Sequence, residues 1–164
     1  MLRISRLTDY ATVILAALAT EPSRVQTSAC LAEQTKLALP TVSKVLKQLQ
    51  RAGLVASTRG LHGGYQLAKP ATQISAAAIL DALEGPVALT DCSVGHGNCD
   101  LEATCHVGKV WQRLNLAIRR SLYEVSLAQL AGIDPTQAGL PELDREMKTA
   151  ASRGVGRPGV NRHE

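Results

Sequence analysis

Apolar residues recur at three- and four-residue intervals from the start of the chain. Leu7, Ala11, Ile14, Leu15 and Leu18 share one helical face and predict a helix over residues 7–20, stopped by Glu21-Pro22. A second helix fits residues 28–35, with Thr27 or Ser28 as its cap and Cys30, Leu31 and Ala32 turned inward. A third begins at Leu39-Pro40-Thr41, where proline suits a first turn, and runs to Ala52 before Gly53 ends it. Two short β-prone runs follow, residues 54–58 and 65–67, joined by the glycine-rich turn Arg59-Gly60-Leu61-His62-Gly63-Gly64. Helix, turn, helix and hairpin, in that order, are the plan of a winged helix-turn-helix.

Beyond the hairpin, Ser75 caps a fourth helix over residues 75–83, closed by Gly85-Pro86. The next stretch, of about twenty residues, holds Pro86, Asp91, Gly95, Gly97 and Asn98 and has neither helical nor strand period. A loop that long inside a compact domain needs something to organise it. Then Val107, Trp111, Leu114, Ile118, Ser121, Val125 and Ala128 fall at alternating four- and three-residue spacing, with Leu122 beside the seam. That stripe predicts one long helix to about Leu130. After Asp134-Pro135 the chain turns polar and rich in Gly and Arg, the composition of a disordered tail. The expected organisation is a mostly α protein: a winged helix-turn-helix domain over residues 1–84, a cysteine-bearing loop over 85–106, a long dimerisation helix over 107–132 and a disordered tail over 133–164.

Composition narrows the class. Aromatics make up 2% of the 164 residues and Phe is absent, so the core must be built from Leu, Ile, Val and Ala, a palette suited to helix-on-helix packing. Residues 1–70 carry nine Lys/Arg against three acids, which places +6 there and leaves −2 for the remainder of a chain whose net charge is +4. A basic head on a neutral-to-acidic remainder is the footprint of a polyanion binder. Arg3 and Arg6 precede an apolar run with a small-x-small end at Ala17-Leu18-Ala19, but Asp9 and Thr12 interrupt it and it is shorter than the ~20 residues of a membrane span. We therefore expect a cytoplasmic protein with no membrane partner, whose four cysteines, Cys30, Cys92, Cys99 and Cys105, are thiols or ligands rather than disulfides.

Two constellations carry chemistry. The third helix buries Val42, Val45, Leu46 and Leu49, so at about 100° per residue its opposite face shows Pro40, Lys44, Lys47 and Arg51, flanked by Ser43 and Gln48. Lysines there reach phosphates or guanine acceptors from the major groove, and Thr41 and Ser43 can donate near the helix start. Arg59, at a glycine-lined hairpin tip, suits a minor groove, whose narrowness concentrates negative potential. Thr41, Ser43, Lys44, Lys47, Arg51 and Arg59 are thus the candidate contacts to double-stranded DNA.

In the second constellation, Cys92, Cys99 and Cys105 place three thiolate donors in one loop, with His96 and His106 nearby. Thiolates select iron–sulfur clusters, zinc or copper(I). The spacing is wider than the Cys-x2-Cys knuckles of structural zinc, and a fourth donor must come from elsewhere. Cys30, on an apolar helix face, reads as a small buried hydrophobe.

Thr8-Asp9-Tyr10-Ala11, the wing's Arg59-Gly60-x-x-Gly63-Gly64-Tyr65 and the three-cysteine loop before a long helix together resemble the bacterial winged-helix repressors that sense iron–sulfur status, iron or nitric oxide, the IscR/NsrR/RirA-like family. The opening twelve residues look closest to the branch regulating the SUF cluster-assembly system, and the likeness covers residues 1–132. It implies a homodimer that crosses its long helices, an iron–sulfur cluster (two-iron or four-iron) on Cys92, Cys99 and Cys105, and DNA binding altered by cluster state. Two departures stand out: the first cysteine gap is one residue longer than the family's common form, and the position three after the last cysteine, a histidine in IscR, is Gly108.

For the fourth ligand the candidates are Asp9, His106 and His96. Adjacent side chains at a helix start diverge by about 100°, which makes Cys105 and His106 awkward partners on one cluster. In nitric-oxide-sensing relatives an aspartate in the matching Thr-Asp-Tyr position plays this part, so the resemblance favours Asp9 of the second subunit, with His106 as the alternative. The expected function is a repressor of iron–sulfur assembly genes on a pseudo-palindromic operator, with no small-molecule substrate. A zinc-stabilised regulator using Cys92, Cys99, Cys105 and His106 is the competing possibility. A cysteine-nucleophile enzyme lacks an oriented base or acidic partner.

Overall fold

The computed structural model describes residues 4–60, 62–90 and 107–134. The head opens with α1 (Arg6–Thr20), whose N-cap Ser5 accepts from the Thr8 N–H, then α2 (Ser28–Thr35), where Thr27 does the same for Cys30. Helix α3 (Leu39–Arg51) follows with Pro40 in its first turn. Strands β1 (Val55–Thr58) and β2 (Gly64–Leu67) pair antiparallel, Val55 opposite Leu67 and Thr58 opposite Gly64. A single 3-10 turn (Ala71–Gln73) leads to α4 (Ala76–Glu84), capped by Ser75, and α5 (Gly108–Glu124) and α6 (Leu127–Leu130) complete the described elements.

The core is aliphatic, as the absence of Phe requires. Ala11, Ile14, Leu15 and Leu18 of α1 meet Leu31 of α2, the Val42/Val45/Leu46/Leu49 stripe of α3, and Ile74 and Ile79. All four α3 stripe residues are fully buried, so the opposite face of that helix is the one left outside. Within α2 only Leu31 is buried; Cys30 and Ala32, expected to turn inward, are half-buried, and the Cys30 Sγ lies 3.6 Å from the Gln34 Nε2.

The hairpin is stitched to the head by a residue that has no strand-like neighbours. The Gln26 N–H donates to the Tyr65 carbonyl at 2.9 Å and the Tyr65 N–H returns a bond to the Gln26 carbonyl at 2.8 Å. Close backbone approach explains Gly64: a Cβ there would sit 2.6 Å from the Gln26 carbonyl oxygen. The buried Gln26 side chain then reaches the Ala17 carbonyl on α1, so the wing's base is fixed relative to the helices.

The single long helix expected to run to about Leu130 is instead two. Helix α5 stops at Glu124, Val125 and Ser126 are extended, and Ser126 opens α6 with a capping box: the Gln129 N–H donates to its Oγ and its own N–H donates to the Gln129 Oε1. Ser126 also pairs with Ser75 across an antiparallel bridge. Leu127 and Ala128 are buried, Leu127 within the head's core. The segment 107–132 is therefore not one dimerisation helix; its last part belongs to the head. Of the expected tail (133–164), residues 135–164, and of the cysteine loop (85–106), residues 91–106, lie outside the described residues.

Candidate nucleic-acid interface and cysteine loop

Helix α3 exposes Lys44, Lys47 and Arg51, with Thr41 and Ser43 half-buried along the edges of that face. No acid shares the helix. Two of its neighbours in space extend the surface. The Gln50 Nε2 donates to the Ser57 Oγ at 2.7 Å, tying the helix's C-terminal turn to β1 of the wing. Beyond β1, Arg59 and Gly60 are exposed, and the Gly63 N–H closes the tip by donating to the Gly60 carbonyl at 2.9 Å. Gly60 has φ +117, a conformation that only glycine adopts freely. The six residues expected to contact DNA thus lie on two elements, α3 and the wing tip, joined by a hydrogen bond that the sequence pattern had not signalled.

Cys92, Cys99, Cys105, His96 and His106 lie outside the described residues. The segments flanking their loop are described, and both are fastened. At the entry, the Glu84 Oε1 accepts from the Ser5 N–H at 2.9 Å and from the Thr8 hydroxyl. These bonds, from Thr8 and then from Ser5, hold the Glu84 carboxyl below its ordinary pKa. Five residues on, the Leu89 N–H donates at 3.2 Å to the Oδ1 of Asn115, the buried polar side chain of α5. At the exit, Gly108 is buried in the first turn of α5.

Asp9, in the first turn of α1, is exposed beside a shallow groove of about 510 Å³ lined also by Ile4, Ser5 and Arg6. Its N–H donates to the Ser5 carbonyl at 3.1 Å. The turn that carries Asp9 is therefore the turn Glu84 holds. Among the described residues no group of three or more His, Cys, Asp or Glu is placed to hold a metal ion.

Helix α5 packs on α4 through the half-buried Asp81–Arg119 pair, 3.1 Å apart. Elsewhere on α5, Val107 at the N-cap, Trp111 and Leu114 are exposed, at 59%, 42% and 47%, as is Ser121, with Ile118 and Leu122 half-buried. This is the expected stripe as far as Leu122. Its last two members fall outside the helix, Val125 in the extended link and Ala128 in the head. No helix among the described residues is long and apolar enough to cross a membrane.

Residues 4–132 match the model of the Rrf2 family, described as iron-dependent transcriptional regulators. The chain belongs to that family. A putative helix-turn-helix-type transcriptional regulator of Mycobacterium tuberculosis is 34% identical over 133 residues, 80% of this chain and 82% of that one. A putative regulator of the same type from Haemophilus influenzae is 35% identical over 100 residues, a match covering 61% of this chain and 66% of that relative. The regulator IscR of Serratia proteamaculans is 31% identical over 128 residues, 78% of this chain and 76% of it. Among solved structures, the global cysteine regulator CymR of B. subtilis superposes with a TM-score of 0.66 at 28% identity, covering 82% of this chain and 99% of that one. T. potens IscR gives 0.61 at 25%, covering 83% and 91%. This Rrf2 protein is accordingly a winged-helix, DNA-binding transcriptional regulator and not an enzyme. Its relatives include both IscR and a cysteine regulator.

Proposed function

We propose that this Rrf2 regulator is a cytoplasmic homodimer that represses iron–sulfur cluster assembly genes from a pseudo-palindromic operator, and that it senses cluster, iron, redox or nitric oxide status through an iron–sulfur cluster. Cys92, Cys99 and Cys105 supply three ligands and Asp9 of the partner subunit the fourth. Three thiolates fit an iron–sulfur cluster by donor chemistry, and an oxygen fourth ligand leaves a displaceable site for a small molecule. Gly108 has no side chain to offer as a ligand.

The observation that carries the sensing is the fastening of the loop's flanks. Glu84 ties its entry to the turn bearing Asp9, and Asn115 ties Leu89 to α5. A change in what organises the loop then acts on the DNA-binding head and on the helix with the exposed apolar stripe. It becomes a switch only in so far as the two cluster states differ in DNA affinity.

Pairing of that stripe with its copy about a two-fold axis supplies the dimer. It also duplicates Lys44, Lys47, Arg51 and Arg59 at half-sites one helical turn, or a small multiple, apart.

The deciding experiment is anaerobic purification followed by absorbance and by iron and sulfide analysis, then titration of promoter duplexes with and without the cluster. A coloured protein with matched iron and sulfide, and an affinity that differs between the two forms, supports the proposal. A colourless protein holding stoichiometric zinc would replace it with a zinc-stabilised regulator.

A further inference from the structure

The start of α3 has a surface that phosphate binding does not explain. Leu37 packs against the core, and the chain then exposes three apolar residues in succession, Ala38, Leu39 and Pro40, with Leu39 46% accessible in the first helical position. An isolated exposed Leu is ordinary. A run of three on a helix whose remaining outer face is cationic is not, because such runs are avoided unless they meet a partner. At about 100° per residue, Leu39, Ser43 and Lys47 form one i, i+4, i+8 row, so the apolar tip continues the row of the proposed DNA contacts.

In a helix-turn-helix it is the N-terminal residues of the second helix that reach base edges. Among the groups that line a major groove, the C5-methyl of thymine is the one an aliphatic side chain reads. We infer that Leu39, supported by Ala38 and Pro40, is a specificity-determining residue that packs on a thymine methyl in each half-site. The lysines behind it supply affinity with little sequence information.

The inference rests on α3 being the major-groove element, and the test separates the two claims. The wild-type protein first selects duplexes from a random library. Each thymine of the selected duplex is then replaced singly by deoxyuridine, which deletes only the methyl. Wild type should lose about fourfold in affinity at one thymine per half-site, the effect of one buried methyl. Leu39→Ser and Leu39→Ala should both bind the parent duplex more weakly and become indifferent to that replacement, with thermal melting and low-salt binding to random duplex unchanged. Undiminished sensitivity in both variants, or no sensitive thymine for wild type, overturns the assignment of Leu39 and leaves the interface intact. Failure of wild type to enrich any sequence overturns the interface itself.

Discussion

Ser75 and Ser126, fifty-one positions apart in the chain, face each other across an antiparallel bridge. The Ala76 N–H donates to the Val125 carbonyl at 2.8 Å on one side and the Leu127 N–H to the Ile74 carbonyl at 2.7 Å on the other. Each serine also caps a helix, α4 and α6 respectively. One short junction thus returns the chain from α5 to the head and sets Leu127 into the core.

That junction predicts where stability resides. Leu127 is fully buried, so Leu127→Ala should cost about 2–5 kcal/mol, from lost transfer energy and the cavity left behind. Ser126→Ala, which deletes one half of the capping box, should cost about 1 kcal/mol. Urea titration followed by circular dichroism measures both. If 127–130 were merely the end of a solvent-exposed helix, Leu127→Ala would leave the midpoint unchanged.

Glu84 predicts a pH dependence. Bonds from Thr8 and then Ser5 hold its carboxyl pKa in the folded protein below its ordinary value, so the stability it adds is fully present above the unfolded value and is lost as pH falls through the folded one. Glu84→Gln should lower Tm at pH 7 and converge on wild type under acid conditions. A Tm difference that stays constant from neutral to acid pH would show that the charge plays no part.

Most of the head was legible in the sequence for identifiable reasons. The helices carried apolar periodicity, Thr27 and Ser75 stood at the starts of α2 and α4 and Pro40 in the first turn of α3, and the glycine-rich turn lay between two β-prone runs. The break after Glu124 was hidden because Val125 and Ala128 continue the four-and-three spacing of the stripe. The countersignal was local, Ser126 three residues before Gln129, and the buried Leu127 off the seam agreed with it. Gln26 gave no strand signal at all: a lone polar residue pairs with Tyr65 only because tertiary packing brings the two together. Glu84 did leave a trace, since an acid in the last turn of α4 opposes the helix dipole. Its carboxylate is instead spent on the favourable N-terminal end of α1. As for the cysteine loop, its residue types were legible, whereas the fourth ligand proposed for it comes from a second subunit, which no single-chain pattern encodes.

The exposed stripe predicts the assembly. Leu114 is 47% exposed and Ile118 half-buried in one chain, so Leu114→Asp and Ile118→Asp should convert a dimer to a monomer at micromolar concentration, through a buried unpaired charge in each copy. Sedimentation equilibrium reads the mass directly. Wild type sedimenting as a monomer, or both variants remaining dimeric, would sink the pairing of α5 with its copy.

For DNA, duplicated Lys44, Lys47, Arg51 and Arg59 predict an affinity that falls steeply with salt, by about 0.9 in log–log slope per phosphate neutralised. Arg59→Ala should weaken binding chiefly where the half-site places an A·T-rich minor groove under the wing. Lys47→Ala, by contrast, should lower affinity nearly uniformly across sequences and shallow the salt slope by about one. Equal losses on A·T-rich and G·C-rich flanks for Arg59→Ala would remove the wing from the minor groove.

The ligand set is open to the sharpest test. Any one of Cys92→Ala, Cys99→Ala and Cys105→Ala should abolish the cluster, since two thiolates leave two coordination positions to fill. Asp9 is exposed on the turn held by Glu84, where substitution removes no packing, so Asp9→Ala should fold with unchanged melting while shifting or losing the anaerobic visible spectrum. His106→Ala should keep the spectrum. Because the aspartate is drawn from the other subunit, mixing Asp9→Ala with Cys99→Ala chains should leave one intact site per heterodimer, formed by the Asp9→Ala chain's cysteines and the Cys99→Ala chain's aspartate. Recovery of wild-type spectral features in that mixture places the ligand in trans. If Asp9→Ala keeps the wild-type spectrum while His106→Ala loses it, the fourth ligand is His106 and the coupling between cluster and α1 must run through Glu84 alone.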